Sequence, residues 1–291
     1  LPFVGLTQAT IILANLGPSQ VRSYSKLLAY KVSVRPTSAL EIGGGFLNHF
    51  GGEGGRPSSL GNRIVDFLPF VDVFRRHNYT DTTHTLDVDS DKQLSVDARL
   101  RLDQLYGITV TGEALLDDFD IHRYKHFFTS EGSSNISIII PALGTPEWSM
   151  RIAAKHMGPL TYAHSDLKDG MTTRGRLLGD ELGPDAKEFG GELRWMPVPS
   201  VRLMVEGWSA QYSNNEYASF YTDSAHTQLE RLKVASNPNE LRDRFLATLT
   251  VQGDEGLAFV FRGGGERIRN ADFLGGRRRS YVIDVALRLR Q

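Results

Sequence analysis

Apolar and polar residues alternate with a period of two along most of the chain, and helical spacing is scarce. The clearest run sets Leu94, Val96, Ala98, Leu100 and Leu102 against Ser95, Asp97, Arg99, Arg101 and Asp103, as a strand with two unlike faces requires. Leu28, Tyr30, Val32 and Val34 oppose Ala29, Lys31, Ser33 and Arg35, and Leu40, Ile42, Gly44 and Phe46 continue beyond a Pro36-Thr37-Ser38 turn. Ile108 to Ala114, Ile136 to Ile140, Trp148 to Ile152, Phe189 to Trp195, Val201 to Val205, Phe245 to Val251, Leu257 to Phe261 and Tyr281 to Leu289 repeat the pattern. With Val4 to Leu13 at the start, this predicts about twelve strands or more, each near the length a tilted barrel strand needs. One segment departs. Ile64, Phe67, Leu68 and Val71 have helix-like spacing broken by Pro69, so Asn62 to Tyr79 is a short helical or irregular element, a plug or a piece packed at a rim.

The connections sort by length. Short turns fall near 36–38, 103–105, 141–146, 196–200 and 252–255; longer ones fall at 15–23, 49–91, 118–132, 158–184, 213–238 and 268–276. Strict alternation of short and long puts all tight turns on one rim of an up-and-down meander and all loops on the other, as in outer-membrane barrels. An even strand count places both termini at the tight-turn side. The stretch from Trp148 to Met196 stands out as a hairpin whose tip, rich in Gly, His, Tyr, Arg and Asp, belongs to the loop rim.

Which solvent meets the apolar face decides between a soluble β protein and a membrane barrel. The polar face carries Arg99, Arg101, Arg151, Arg194, Arg202, Glu192, Glu206, Arg262 and Arg288, which suit either a solvated exterior or a wet lumen. The apolar face mixes Gly and Ala with Leu and Val, which lipid tolerates better than a dense core does. Tyr30, Trp148, Trp195, Phe245 and Tyr281 lie near strand ends, where aromatic girdles form. The expectation is an all-β, antiparallel, up-and-down transmembrane β-barrel over residues 1–291 as a single domain, placed in the bacterial outer membrane. Composition agrees. The chain has 40% hydrophobic and 23% charged residues and a net charge of -1, which excludes disorder and a nucleic-acid surface built on bulk charge. Without cysteine it has no disulfide framework and no thiolate metal site. It begins at Leu1, which leaves room for a removed targeting segment.

Motifs for catalysis or cofactors are weak. Asp87, Asp89 and Asp91 resemble the start of a calcium loop, but Lys92 and Ala98 stand where Gly and Glu are needed, so this is a solvated acidic turn. Gly51-Gly52-Glu53-Gly54-Gly55 and Gly263-Gly264-Gly265 lack a strand-to-helix context and read as rim loops. His49, His156, His164 and His226 have no metal-ligand spacing. Neither a nucleophile elbow nor a paired-carboxylate arrangement is present, so no catalytic residue, metal or cofactor is assigned. Arg277-Arg278-Arg279, beside the last strand, is a solvated loop end or a contact for an anionic ligand such as lipopolysaccharide.

Three blocks connect the chain to a family. Tyr162-Ala163-His164, Asp169-Gly170, Arg174-Gly175-Arg176-Leu177-Leu178-Gly179 and Gly183-Pro184-Asp185 form the first. Arg35-Pro36, Leu40-Glu41-Ile42-Gly43 and Gly51-Gly52-Glu53-Gly54 form an earlier one, and Leu105-Tyr106-Gly107 with Asp117-Asp118 a third. Together they resemble the signature of Wzi-type capsule assembly proteins, in order and approximate spacing. The resemblance implies an outer-membrane barrel that holds capsular or other extracellular polysaccharide at the cell surface as a lectin and not as an enzyme, in contact with outer-membrane lipid and lipopolysaccharide. Family members are generally longer, so the expectation is a barrel lacking N-terminal strands or a reduced relative; a monomer is favoured. Two departures stand out. Ala153 or Ala154 occupies the strand position where a carboxylate is expected, and Gln291 ends the chain where an aromatic is usual.

The tip suits sugar contact, since Tyr and Trp offer flat apolar faces to pyranose C–H groups while Arg, His and Asp serve hydroxyls and uronates. Tyr162, His164, Arg174 and Arg176 are the candidates there, with Trp208 and Tyr212 on the lumen side of a later strand. Gly170, Gly175, Gly179 and Gly183 read as shape, letting the tip fold into the mouth. Two alternatives stay open: a general porin or transporter for small solutes, and a soluble β lectin with the faces inverted.

Overall fold

The computed structural model describes residues 5–54, 67, 90–117, 132–159, 161–162, 172–173, 176–177, 179–221, 229–235, 237–253 and 256–289. Its strands are β1 (Leu6–Asn15), β2 (Lys26–Arg35), β3 (Leu40–Phe50), β4 (Ser90–Leu102), β5 (Ile108–Asp117), β6 (Gly132–Ile140), β7 (Trp148–Met157), β8 (Thr172–Thr173), β9 (Arg176–Leu177), β10 (Ala186–Val198), β11 (Val201–Tyr212), β12 (Glu216–Tyr221), β13 (Leu229–Ala235), β14 (Glu240–Gln252), β15 (Leu257–Ala271) and β16 (Gly276–Leu289). Twelve of them form one antiparallel sheet in the order β1-β2-β3-β4-β5-β6-β7-β10-β11-β14-β15-β16, while β8-β9 and β12-β13 are small ribbons within the loops. Among the described residues no pairing joins β1 to β16.

The register sorts the strand residues onto two faces across the sheet. Glu41, Arg99, Thr111, Ser137, Ala153, Gly190, Trp208, Arg244, Glu266 and Ser280 fall in one band on the polar side, strand after strand. The opposite side carries the apolar sets, and it is exposed even on strands paired at both edges: Val96 is 53%, Ile136 52%, Phe189 61% and Phe245 56% exposed. A soluble sheet of this size would bury that face against a second layer. Here the hydrophobic cluster of buried residues contains Met157, Leu182, Ala186 and Ala210, all on the polar side or in the loop above it. The apolar face therefore has lipid as its solvent, and the soluble alternative fails. The loop rim of β2 and β3 differs: Leu28 and Asn48 are buried on the outward side, and the Tyr30 hydroxyl donates to the Phe67 carbonyl at 3.1 Å. Phe67 is the one described residue of the predicted helical stretch; the rest of Asn62 to Tyr79 lies outside the described residues.

Glycine placement explains how charges pair on the inner wall. Lys31 in β2 reaches Asp97 in β4 at 3.0 Å although β3 runs between them. Gly43 is the register partner of both Ser33 and Asp97, and a Cβ there would run into the Asp97 carboxylate. A bare strand leaves space for a bond across it.

Two expectations need correction. Gly263-Gly264-Gly265 is the middle of β15, not a loop: these residues pair with Ala247, Leu246 and Phe245. A Cβ at Gly264 would strike the Phe245 carbonyl and Leu246, so this glycine serves close packing on the inner wall, while Gly263 and Gly265 face outward. The connection near 268–276 is also short, since β15 and β16 run on through Arg267 to Arg269 and Arg277 to Arg279 and turn within residues 272–275. Left-handed Asn270, Asp272 and Phe273 tighten it, and the Phe273 amide donates to the Asn270 carbonyl at 2.8 Å.

Candidate functional site at the loop-side mouth

The inner wall at the loop rim is made by the ends of β7, β10, β11 and β14, where Met157, Ala186, Tyr212 and Glu240 occupy one row. The last part of the tip, residues 179–185, lies against this row: Leu182 packs with Met157, Ala186 and Ala210, and Tyr162 and Tyr212 pack at the edges. This part of the tip is thus folded into the mouth.

Polar contacts pin it there. Lys155, on the inner face of β7, donates to Asp180 at 2.7 Å with both side chains largely covered. The same carboxylate accepts the Leu182 amide at 3.0 Å. The Tyr162 hydroxyl accepts the Asp180 amide at 3.1 Å, and a Cβ at Gly179 would overlap the Tyr162 ring. Tyr162 takes a left-handed φ of 68, a costly conformation for a tyrosine, so its ring is held where the chain alone would not put it. At the loop base, Ser133 bonds Thr161 at 2.6 Å and accepts the Gly158 amide at 3.0 Å. Asn215 donates to Asp185 at 3.0 Å, joining the 158–185 loop to the start of the next one.

Two predicted aromatics lie on this wall. Trp208 shares a row with Gly190, Ala153 and Arg244. A side chain at Gly190 would collide with the indole, so Trp208 occupies space over β10, and Ala153 beyond it is 2% exposed. The small Ala153 and the bare Gly190 together make a low shelf on which an aromatic spreads. One turn higher, the Arg242 guanidinium sits 4.8 Å over the Tyr212 ring. Arg242 also donates to Glu240 at 2.6 Å, and Glu240 accepts the Asp272 amide at 2.7 Å.

Of the six predicted residues, the structure brings Tyr162 and Tyr212 to one cluster and puts Trp208 on the same wall. Arg176 is in the β8-β9 ribbon, its side chain outside what is described, and His164 and Arg174 lie outside the described residues. Sequence reasoning missed Lys155, Asp180, Glu240 and Arg242. Lys155 had a readable signal, as a charge on the polar side of β7 in phase with Ala153; Asp180 had none, because its partner is 25 residues away in sequence. Among the described residues no group of three or more His, Asp or Glu could hold a metal ion.

Comparisons with known proteins place this architecture. The family model described as capsule assembly protein Wzi matches residues 1–233. Among solved structures, Escherichia coli Wzi, described as an outer-membrane protein involved in group 1 capsule assembly and a carbohydrate-binding β-barrel, matches with a TM-score of 0.62 at 16% identity. That match covers 98% of this chain and 54% of the other, so the chain spans about half the length of its solved relative. Among curated proteins none matches the chain. With an antiparallel sheet of the outer-membrane β-barrel type and a family match over most of its length, the chain belongs to the Wzi capsule assembly protein family.

Proposed function

We propose that this protein is an outer-membrane barrel that holds capsular or extracellular polysaccharide at the cell surface without chemically altering it. The observation that carries the reading is the mouth: an aromatic shelf at Trp208 and Tyr212, with cationic Arg242 and Arg244 beside it, under a loop tied to the wall by Lys155 and Asp180. Stacked aromatics receive sugar rings, and fixed guanidinium groups receive uronate carboxylates or hydroxyls. Tyr162, His164, Arg174 and Arg176 belong to the loop that would close over the glycan. The family membership and the carbohydrate binding described for the solved relative agree with this reading.

The test is surface retention of polysaccharide in cells producing the full chain with Trp208→Ala or with Arg174→Ala and Arg176→Ala. Retention should fall while the amount of folded barrel in the outer membrane stays constant. Unchanged retention in both variants would contradict the assignment.

A further inference from the structure

The arginines of β15 and β16 do not all face the same way. Arg278 lies on the inner side and pairs with Asp272 at 3.1 Å. Arg277 and Arg279 point outward, in register with Arg269 and Arg267 of β15. Four arginines thus stand together on the outer surface, at the loop-side end of adjacent strands. In these outward rows Asp243 is the one carboxylate among the described residues, 3.3 Å from Arg269 and 3.8 Å from Arg267. The cluster keeps an excess of positive charge.

Immediately towards the membrane the next outward row reads Phe245, Gly265, Tyr281. Gly265 has no side chain and the Tyr281 ring leans over it, leaving a narrow furrow between that ring and Phe245, which continues over Gly263 into the apolar belt. A shallow cleft of about 390 Å³ at its top is lined by Phe245, Arg267, Arg279 and Tyr281, with Asp243 and, from an inward row, Glu266 as its carboxylates. An aqueous anion would need only the arginines, and a lipid tail only the furrow. Their stacking along one line, charge above and apolar walls below, fits one amphipathic molecule lying along the outer wall.

We propose that this cleft binds a lipid bearing phosphate monoesters, the chemistry of the lipid anchor of lipopolysaccharide. The phosphates would sit against Arg267 and Arg279 and an acyl chain in the furrow between Phe245 and Tyr281. Guanidinium groups pair with phosphate oxygens in a two-pronged fashion, and basic residues at a membrane surface each contribute to anionic lipid capture. This site is on the outside of the barrel and is independent of the polysaccharide site at the mouth.

The experiment uses the full chain in vesicles of phosphatidylcholine containing equal amounts of diphosphorylated and dephosphorylated lipid A. Lipids retained by the protein are counted by native mass spectrometry. The diphosphorylated form should be preferred, and the preference should fall about fivefold for each of Arg267→Ala and Arg279→Ala. Arg278→Ala, next to Arg279 in sequence but facing inward, should leave it unchanged. Arg267→Lys with Arg279→Lys should keep most of the preference where Arg279→Gln loses it, which separates charge from folding. Equal retention of the two lipids, or a preference untouched in Arg267→Ala and Arg279→Ala, would overturn the proposal. Full displacement by millimolar inorganic phosphate with no lipid preference would identify a free-anion site and overturn it as well.

Discussion

Phe245 and Leu246 are neighbours in β14, yet the first is 56% exposed and the second 4%. Phe245 points out of the barrel beside Gly265, and Leu246 points in, over Gly264. The same contrast divides the molecule. On the outer belt, large apolar side chains touch little protein and their burial is supplied by lipid; on the inner wall at the mouth, small apolar residues, ion pairs and a returning loop bury one another. In a soluble protein the stabilising contacts lie on the apolar side. Here the specific contacts lie on the polar side, so mutations on the two faces should fail in different ways.

The sharpest break of the comparison is a charge on the outer belt. Ala247 faces outward between Val205 and Gly263, and Ala247→Arg should destabilise the barrel by about 2–4 kcal/mol if it lies near the bilayer midplane. Thr248→Arg, one residue on and facing the lumen, should cost less than half of that. Refolding into lipid vesicles, titrated with urea, measures both; equal costs would mean that the faces are not assigned correctly.

At the mouth, Asp180→Ala removes the partner of Lys155 and the acceptor of the Leu182 amide. The loop should loosen by about 1–3 kcal/mol, with faster protease cleavage within 158–185 and a larger single-channel current in planar bilayers. A loop that resists protease as before would show that the pin is not what holds it. At the tight-turn rim, Trp148 and Trp195 stack with ring centroids 5.6 Å apart on the outward face. Trp195→Ala should cost about 0.5–1.5 kcal/mol beyond the area lost, detected in the same refolding assay and absent from the protease assay. Tyr162→Phe is the mildest change. It deletes the acceptor of the Asp180 amide and keeps the ring against Gly179, so about 0.5–1.5 kcal/mol of loop stability should go, with the loop still folded in.

The strands were legible because membrane strands obey one rule, alternation, and nothing in a packed core competes with it. Leu94 to Asp103 and Tyr281 to Leu289 read correctly for that reason, and the order of short and long connections then placed the rims. Gly263 to Gly265 was misread because glycine is a turn signal in sequence, whereas here Gly264 relieves contact with Phe245 and Leu246 of the neighbouring strand. The length of β15 was missed for a related cause: Arg267 and Arg269 look like loop residues unless the outer surface above the lipid is recognised as a place for charge. Trp208 and Tyr212 could be assigned to the lumen by parity alone. The Lys155–Asp180 pair and the Arg242 contact to Tyr212 could not, because they depend on which strands lie side by side and on a loop folding back across them.

Direct binding of the purified surface polysaccharide to the full chain in lipid nanodiscs tests the central claim most closely. Titration with the intact protein should show saturable binding, Trp208→Ala should weaken it about tenfold or more, as for a buried aromatic anchor, and Tyr281→Ala on the outer belt should leave it unchanged. Equal affinity for the intact protein and Trp208→Ala, or a loss only with Tyr281→Ala, would contradict a glycan site inside the mouth.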